Sequence, residues 1–234
     1  MPGIVLLGGP GMVAIPWLAM SGFVHVGYIT GLVAAYRHGD FSLAYPLARG
    51  GGALVAAIGG VAFLGDRLPL AAWGAIAVVA AGLASLVGRG VTPSTVHDAL
   101  LTALAIGTYT VIDAKGSRVS VDALAYGMTS TATAAVGVSI AFLVRRRGRA
   151  LLVAWPQHRG RWLVAGFCTS LAYAMVMVAV RHAPVGYVAM LRESSVVVGA
   201  LAGWLLLKEP LGGRRLVSSV VILGGLLGLI AVTL

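Results

Sequence analysis

The sequence predicts an all-α membrane protein, a polytopic bundle of about eight transmembrane helices. Of the 234 residues, 59% are hydrophobic and only 10% are charged, and the mean hydropathy is +0.96. Soluble domains have roughly 45–50% apolar and about 25% charged residues. Because a membrane helix needs about 20 apolar residues, eight helices use about 160 residues and leave only short connections. This composition excludes a cytosolic enzyme, a disulfide-rich secreted domain and a disordered tail.

Apolar runs bounded by charged residues, glycine and proline place the individual helices. Residues 1–16 are apolar but contain Pro10 and Pro16 and are too short to span. The basic stretch 145–161 is expected to be a connection. The predicted helices are 17–36, 42–64, 69–87, 97–115, 122–144, 161–181, 184–207 and 214–233.

Positive charge concentrates in the connections. The 17 Lys and Arg residues exceed the 7 Asp and Glu residues, giving a net charge of +10. We interpret this excess through the positive-inside rule and expect no nucleic acid partner. The chain is expected to be an integral, multi-pass protein, of the inner membrane if the source is bacterial. The strongest cluster contains Arg145, Arg146, Arg147, Arg149, Arg159 and Arg161.

An internal repeat appears when the sequence is shifted by 143 residues. Residues 49–86 then match 192–229 with ten identities in 38 pairs and no gap. The shift aligns Arg49 with Arg192, and it aligns the acids Asp66 and Glu209. Charges are rare in this chain, so these two pairs carry more weight than matches between leucines.

The repeat is inverted, since helices 42–64 and 184–207 are five spans apart and therefore cross the membrane in opposite directions. Secondary transporters often have this plan, with the substrate site near the midplane. The predicted repeats are 1–88, with three helices, and 96–234, with five. Either the chain is natively three plus five, or two helices of about 45–50 residues lie upstream; we favour missing sequence.

Several motifs resemble the drug/metabolite transporter superfamily, EamA type. A Leu-Gly-Glu turn after the fourth helix of each half is typical of that family, and here its counterparts are Leu64-Gly-Asp66 and Leu207-Lys-Glu209. The segments that carry the resemblance are Tyr45-Pro-Leu-Ala-Arg49, Phe63-Leu-Gly-Asp-Arg-Leu68, Trp73, Gly82, Leu191-Arg-Glu-Ser-Ser195, Leu207-Lys-Glu-Pro-Leu211 and Gly225.

The resemblance implies ten spans in two inverted halves, and export or exchange of a small metabolite, amino acid or drug. We expect a secondary transporter that works by alternating access, with no enzymatic activity and no cofactor. The alternatives are a lipid-handling, flippase-like or accessory membrane subunit, and an inactive truncated carrier. Expected partners are the small-molecule substrate and membrane lipids, and a homodimer is left open.

Charged residues inside spans are the first candidates for a binding site, because an unpaired charge there costs about 2.5–3.5 kcal/mol or more. Arg49 and Arg192 could flank a cavity and hold an anionic group, or could lock helix ends together. Glu193 could pair with Arg49, couple transport to protons, or lie at the periphery. It cannot face Arg192, its neighbour on the same helix.

Polar aromatic residues within the spans complete the candidate site. Tyr45 and the Gly50-Gly-Gly52 run surround Arg49, where the glycines either weaken the helix or allow close packing. Asp113, beside Lys115, is expected at the membrane interface. The remaining cavity candidates are His25, Tyr28, Tyr109, Tyr126 and Tyr173.

Three further residues have structural interpretations. Asp66 and Glu209 are expected to cap the helix that follows each of them. Cys168, the only cysteine, is expected to be a small buried residue.

Overall fold

The computed structural model describes residues 8–38, 41–85, 93–144, 148–195 and 213–233. This part of the chain contains eight α-helices and no strand, which confirms the predicted all-α class. A three-residue 3-10 turn, Met12–Ala14, precedes the first helix. The helices are α1 (Ile15–His38), α2 (Phe41–Leu64), α3 (Leu70–Ala84), α4 (Pro93–Val119), α5 (Ala123–Val144), α6 (Gly148–His182), α7 (Val185–Arg192) and α8 (Gly213–Thr233).

Two helices are much longer than their apolar runs. Helix α4 was expected over 97–115 and extends by four residues at each end. Helix α6 was expected over 161–181 but begins at Gly148, so most of the basic stretch 145–161 is helical and not a connection. Arg, Ala, Leu and Gln favour helix whether or not they lie in the membrane. Over its 35 residues, α6 reaches about 52 Å, well beyond a hydrocarbon core of about 30 Å.

Four segments of the described chain are long and apolar enough to cross a membrane. They are Met12–Ala34, Leu47–Leu64, Ala123–Val144 and Arg159–His182. Leu70–Gly82 in α3 is a shorter apolar helix. The protein is therefore an integral membrane protein with several spans. The predicted helix 184–207 is described only to residue 195, and its remainder lies outside the described residues.

The chain divides into two compact units, which are described separately below. The first contains Met1–Ile29 and Ile112–Ala183, and the second contains Thr30–Val111 and Pro184–Leu234. These units combine segments from both predicted repeats, so the repeat boundaries stay a prediction.

In the first unit, α5 and α6 pack along each other. A Cβ atom on Gly127 would lie 2.5 Å from Ala174 Cα, so glycine permits this close approach. Ser117 in α4 donates a hydrogen bond to the Met177 carbonyl oxygen of α6 at 2.7 Å. These contacts bring α4, α5 and α6 together through small residues, as is usual in membrane bundles.

Two arginines of the first unit bind the carboxyl ends of helices. Arg118 donates to the carbonyl oxygens of Val180, at 3.0 Å, and Ala183, at 3.3 Å, at the end of α6. Arg181 donates to the Ser120 carbonyl oxygen beyond the end of α4. The last carbonyls of a helix lack intrahelical partners and carry partial negative charge, so each arginine stabilises the end of the other's helix.

In the second unit, α2 packs against α3 and α7. The glycine run in α2 lies against α4: a Cβ atom on Gly51 would meet Ala103 at 2.9 Å, and one on Gly52 would meet Ile106 at 2.5 Å. Helix α2 is continuous through this run. The glycines therefore allow close packing, which is the second of the two roles expected from the sequence.

Helices α3 and α8 of the second unit make reciprocal contacts. A Cβ atom on Gly82 would lie 2.9 Å from Ile222, and one on Gly225 would lie 2.6 Å from Val79. The 143-residue shift converts each of these pairs into the other. Such exchange is the mark of a two-fold relation between contacting elements.

A second pair of contacts follows the same rule. The hydroxyl groups of Ser85 and Ser218 lie 2.7 Å apart, and a Cβ atom on Gly228 would lie 3.9 Å from Ala75. Residue numbers fall along α8 as they rise along α3, so the two helices are antiparallel. Antiparallel packing of repeat-equivalent helices supports the inverted repeat.

Cys168 was expected to be buried, and the structure shows that it is exposed. It is an exposed free thiol in α6, within a segment whose residues 159–169 are all exposed. A small apolar side chain faces lipid as readily as a protein core, so its chemistry alone does not choose between them.

Candidate functional site

The candidate site in the second unit is built on α7, the short helix that ends at Arg192. Pro184 precedes this helix and does not cap it with a side-chain hydrogen bond. The cap comes from a distant residue: Asp66 Oδ2 accepts a hydrogen bond from the Val185 backbone nitrogen at 2.7 Å. Asp66 was expected to cap α3, the helix that follows it, and the cap that the structure shows is on α7. Glu209, its counterpart in the repeat, lies outside the described residues.

The turn after α2 brings Asp66 to α7. Gly65 has a φ of 72°, a left-handed conformation that ends helices and suits glycine. The Asp66 backbone nitrogen then donates to the Gly60 carbonyl oxygen at 3.1 Å. The turn is thus closed against α2, with the carboxylate directed at the first residue of α7.

Arg49 of α2 and Glu193, at the end of α7, form an ion pair. Arg49 Nη2 lies 3.3 Å from Glu193 Oε1, and the two side chains are 22% and 4% exposed. This is the pairing expected from the sequence, and it excludes a peripheral position for Glu193. Arg192 also acts electrostatically on the Glu193 carboxylate.

These three charged residues line one pocket, which lies entirely within the second unit. The pocket is partly open and has room for about one water molecule. Its other walls are small or apolar, apart from Thr110, whose hydroxyl group donates to the Ile106 carbonyl oxygen at 2.7 Å. The lining residues are Arg49, Gly52, Ala53, Ala56, Ile106, Thr110, Ala189, Arg192 and Glu193.

The second oxygen of Glu193 has unused hydrogen-bonding capacity. Glu193 Oε2 is buried and accepts no hydrogen bond from the described residues. Buried polar atoms nearly always have a partner, and an exception in a pocket marks a place for a ligand group or water. With two arginines and one glutamate, the lining carries a net charge of +1. The pocket can therefore accept a negative group at the arginines and a donor at Glu193.

A separate cluster in the first unit surrounds Asp113. Its carboxylate accepts hydrogen bonds from Tyr126 at 2.9 Å, Ser130 at 3.1 Å and Tyr173 at 2.5 Å. Asp113 is 0% exposed. It was expected at the membrane interface, and the structure shows that its side chain is buried among the helices. The cause is the length of α4, which continues to Val119 and places Asp113 more than a turn before the helix end.

His25 of α1 adjoins this cluster. Its ring lies edge-on to Tyr173, with centroids 6.5 Å apart, and edge-on to Tyr28 at 6.1 Å. His25 Nδ1 lies 2.9 Å from the Ser21 carbonyl oxygen. Ser21 interacts with the Asp113 carboxyl group by a side-chain hydrogen bond, and His25 acts on it electrostatically. The cluster thus combines a carboxylate, two phenols and an imidazole within the first unit.

Comparison with known proteins supplies the family. The EamA-like transporter family matches residues 97–231, more than half of the chain. The chain belongs to this family. Its members are membrane transporters of the drug/metabolite type, as the motifs of α2 and α7 indicated, and they are not enzymes.

A solved structure gives the same fold for this EamA-like transporter. That crystal structure superposes on this chain with a TM-score of 0.66 at 18% sequence identity. The match covers 97% of this chain and 78% of the other. At this identity the likeness concerns the fold alone. No curated protein matches the chain.

The candidates predicted from the sequence therefore fall into two groups in this EamA-like transporter. Arg49, Arg192 and Glu193 meet at the pocket of the second unit, whereas His25, Tyr28, Tyr126 and Tyr173 belong to the first unit. Tyr109 is buried in the second unit but is not among the pocket residues. The backbone of Tyr45 lies in α2, and its side chain lies outside the described residues.

Three participating residues were not singled out as site candidates from the sequence. Thr110 lines the pocket, and Asp113 and Ser130 form the buried cluster. The available signal was an acid after the apolar stretch of α4, together with hydroxyl residues on the following helix. How strongly this signal indicates a buried acid depends on where α4 ends, and the apolar run placed that end four residues too early.

Proposed function

We propose that this EamA-like protein is a secondary transporter of a small zwitterionic or anionic metabolite, of which an amino acid is the best example. The Arg49–Glu193 ion pair at the pocket is the observation that carries the proposal. Export or exchange by alternating access is the mode that we infer from the family and from the inverted repeat.

The charges of the pocket favour a carboxylate. A guanidinium group presents paired N–H donors that match the two oxygens of a carboxylate. Arg49 and Arg192 both line the pocket, and only one glutamate opposes them. An anion with one carboxylate would bring the net charge of the pocket from +1 to zero, whereas a zwitterion would leave it at +1 and pair each of its charges with an opposite one.

An ammonium group would complete the match at Glu193. Its Oε2 atom is buried and lacks a partner among the described residues. An ammonium group donates three hydrogen bonds and would supply one there.

The ion pair also explains how the empty pocket tolerates its charges. Removing one partner of a buried pair costs about 3–5 kcal/mol, since the other charge is then uncompensated. Arg49 and Glu193 neutralise each other while no substrate is bound. A zwitterion can replace each partner with one of its own charges, so opening the pair leaves no charge unbalanced.

Uptake into proteoliposomes tests the proposal, with a mixture of radiolabelled amino acids as the probe. A lost charge-assisted hydrogen bond is worth about 1.5–3 kcal/mol, so Arg49→Ala and Arg192→Ala should each lower uptake by about 10- to 100-fold. Arg67→Ala is the matched control, because Arg67 is an exposed arginine in the turn after α2.

Because Arg49→Ala leaves Glu193 uncompensated, the double variant Arg49→Gln, Glu193→Gln separates folding from binding. It keeps a neutral, hydrogen-bonding pair and should retain the wild-type melting temperature while losing uptake. Wild-type uptake by both single arginine variants would overturn the assignment of the pocket. Thermal stabilisation by anionic phospholipid, with none by amino acids, would favour lipid handling over metabolite transport.

A further inference from the structure

The cluster around Asp113 in the first unit has a chemistry that the amino acid pocket does not use. Asp113 is fully buried, as is Tyr126, and Ser130 is 1% exposed. Three hydroxyl groups from two other helices converge on one carboxyl group: Tyr126 and Ser130 from α5, and Tyr173 from α6. If Asp113 only filled space in the core, an apolar residue could fill the same volume at a lower free-energy cost.

No lysine or arginine of the described residues balances the negative charge of Asp113, and the basic side chain that acts on it electrostatically is His25 of α1. Among the described residues, no lysine or arginine forms an ion pair with Asp113. Arg118, on the same helix, is bound to carbonyl oxygens at the end of α6. Lys115 is two residues along α4, and residues two apart do not face each other on a helix. A fully buried carboxylate without a lysine or arginine partner is costly, so the site favours a bound cation.

The space around the carboxyl group restricts which cation can bind. With Asp113, Tyr126 and Ser130 at most 1% exposed, the cluster is closed to a substrate ammonium group. Gly116 shows how tight it is, because a Cβ atom there would collide with the Tyr126 hydroxyl group. A proton is the cation that needs no additional volume.

We propose that Asp113 is a proton-binding site, at which protonation changes the hydroxyl contacts that join α4 to α5 and α6. A proton from solution adds to a carboxylate oxygen and no other bond breaks. A carboxylic acid then donates its own O–H, so one of the three hydroxyl groups accepts this hydrogen bond and directs its own O–H elsewhere. His25 is the neighbouring titratable group of α1, and Tyr126 and Tyr173 are those of α5 and α6.

This inference goes beyond the proposed amino acid transport and can be tested without any substrate. Infrared difference spectra of the purified transporter, recorded between high and low pH, detect the carbonyl band of a protonated carboxylic acid. The 7 Asp and Glu residues all contribute to this region at low pH, so the test concerns one component of the band, which wild type should show and Asp113→Asn should lack. Asp98→Asn is the control, because Asp98 lies near the start of α4 beside the exposed His97, and it should retain the band.

Variants that keep the carboxyl group make the assignment specific to this site. Tyr126→Phe and Tyr173→Phe should shift the band in frequency, because each removes one hydrogen bond. Gly116→Ala should do the same by displacing Tyr126. Gly160→Ala is its control, since a Cβ atom there meets nothing within 4 Å, and it should leave the band unchanged.

Identical pH-difference spectra of wild type and Asp113→Asn would overturn the proposal. Were Asp113→Asn to misfold, unshifted bands in both phenylalanine variants would overturn it equally. An Asp113-dependent band in a protein that transports no amino acid would leave the proton site in place and refute the proposed substrate. The two proposals therefore fail separately.

Discussion

Asp66→Ala should destabilise the helix that carries the pocket charges. The Asp66 carboxylate lies 2.7 Å from the Val185 nitrogen, and Val185 is 0% exposed, so no water can replace the lost acceptor. A buried N–H left without a partner costs about 1–3 kcal/mol, and removing a helix cap costs about 0.5–2 kcal/mol. We expect Asp66→Ala to lower the free energy of unfolding by about 1–2 kcal/mol, in the range where these two estimates overlap.

The aspartate-to-asparagine exchange isolates the hydrogen bond from the charge. Asp66→Asn retains an acceptor oxygen and loses only the charge–dipole attraction at the helix start, which is worth about 0.3–1 kcal/mol. Denaturant titration in detergent micelles, followed by helical circular dichroism, measures both variants against Arg67→Ala, an exposed neighbour. Two results would refute the reasoning: Asp66→Ala as stable as wild type, or Asp66→Asn as unstable as Asp66→Ala.

Two other structural features give predictions by the same titration. Gly225→Ala places a Cβ atom 2.6 Å from Val79 and should lower the free energy of unfolding by about 1–3 kcal/mol through overpacking. In the neighbouring variant Gly224→Ala, the Cβ atom meets no other atom, so this variant should be neutral or stabilised by up to about 1 kcal/mol. Equal effects of the two variants would contradict the α3–α8 contact. Arg118→Ala removes two charged hydrogen bonds from the end of α6 and should cost at least about 1.5–3 kcal/mol. Arg181→Ala removes one and should cost less, so the reverse order would argue against the observed contacts.

The existence of most helices was predictable because a bilayer imposes a minimum apolar length on each span. Their ends were less predictable, as α4 and α6 show. Helical hydrogen bonding continues wherever residues favour it, past the point at which hydropathy falls. The basic residues at the start of α6 therefore looked like a connection although they are helical.

The Arg49–Glu193 pair was predictable from charge alone, because each residue needs a partner inside the membrane and few other charges are available. The cap made by Asp66 was not. Its partner, Val185, is 119 residues away, and no local pattern identifies which helix start a turn will reach. Asp113 lies between these cases, since its importance depends on where α4 ends.

Each polar cluster stabilises a buried carboxyl group, but by different contacts, and this difference indicates different ligands. Glu193 is neutralised by a charge of opposite sign at a partly open pocket, so a ligand with both charges can exchange with Arg49 at little electrostatic cost. Asp113 is held by neutral hydroxyl groups in a closed site, where only a proton can change the charge without entry of a larger group. A pH-dependent variant series at Asp113 and a substrate-dependent series at Arg49 should therefore give distinct readouts, and a shared readout would argue against assigning them separate functions.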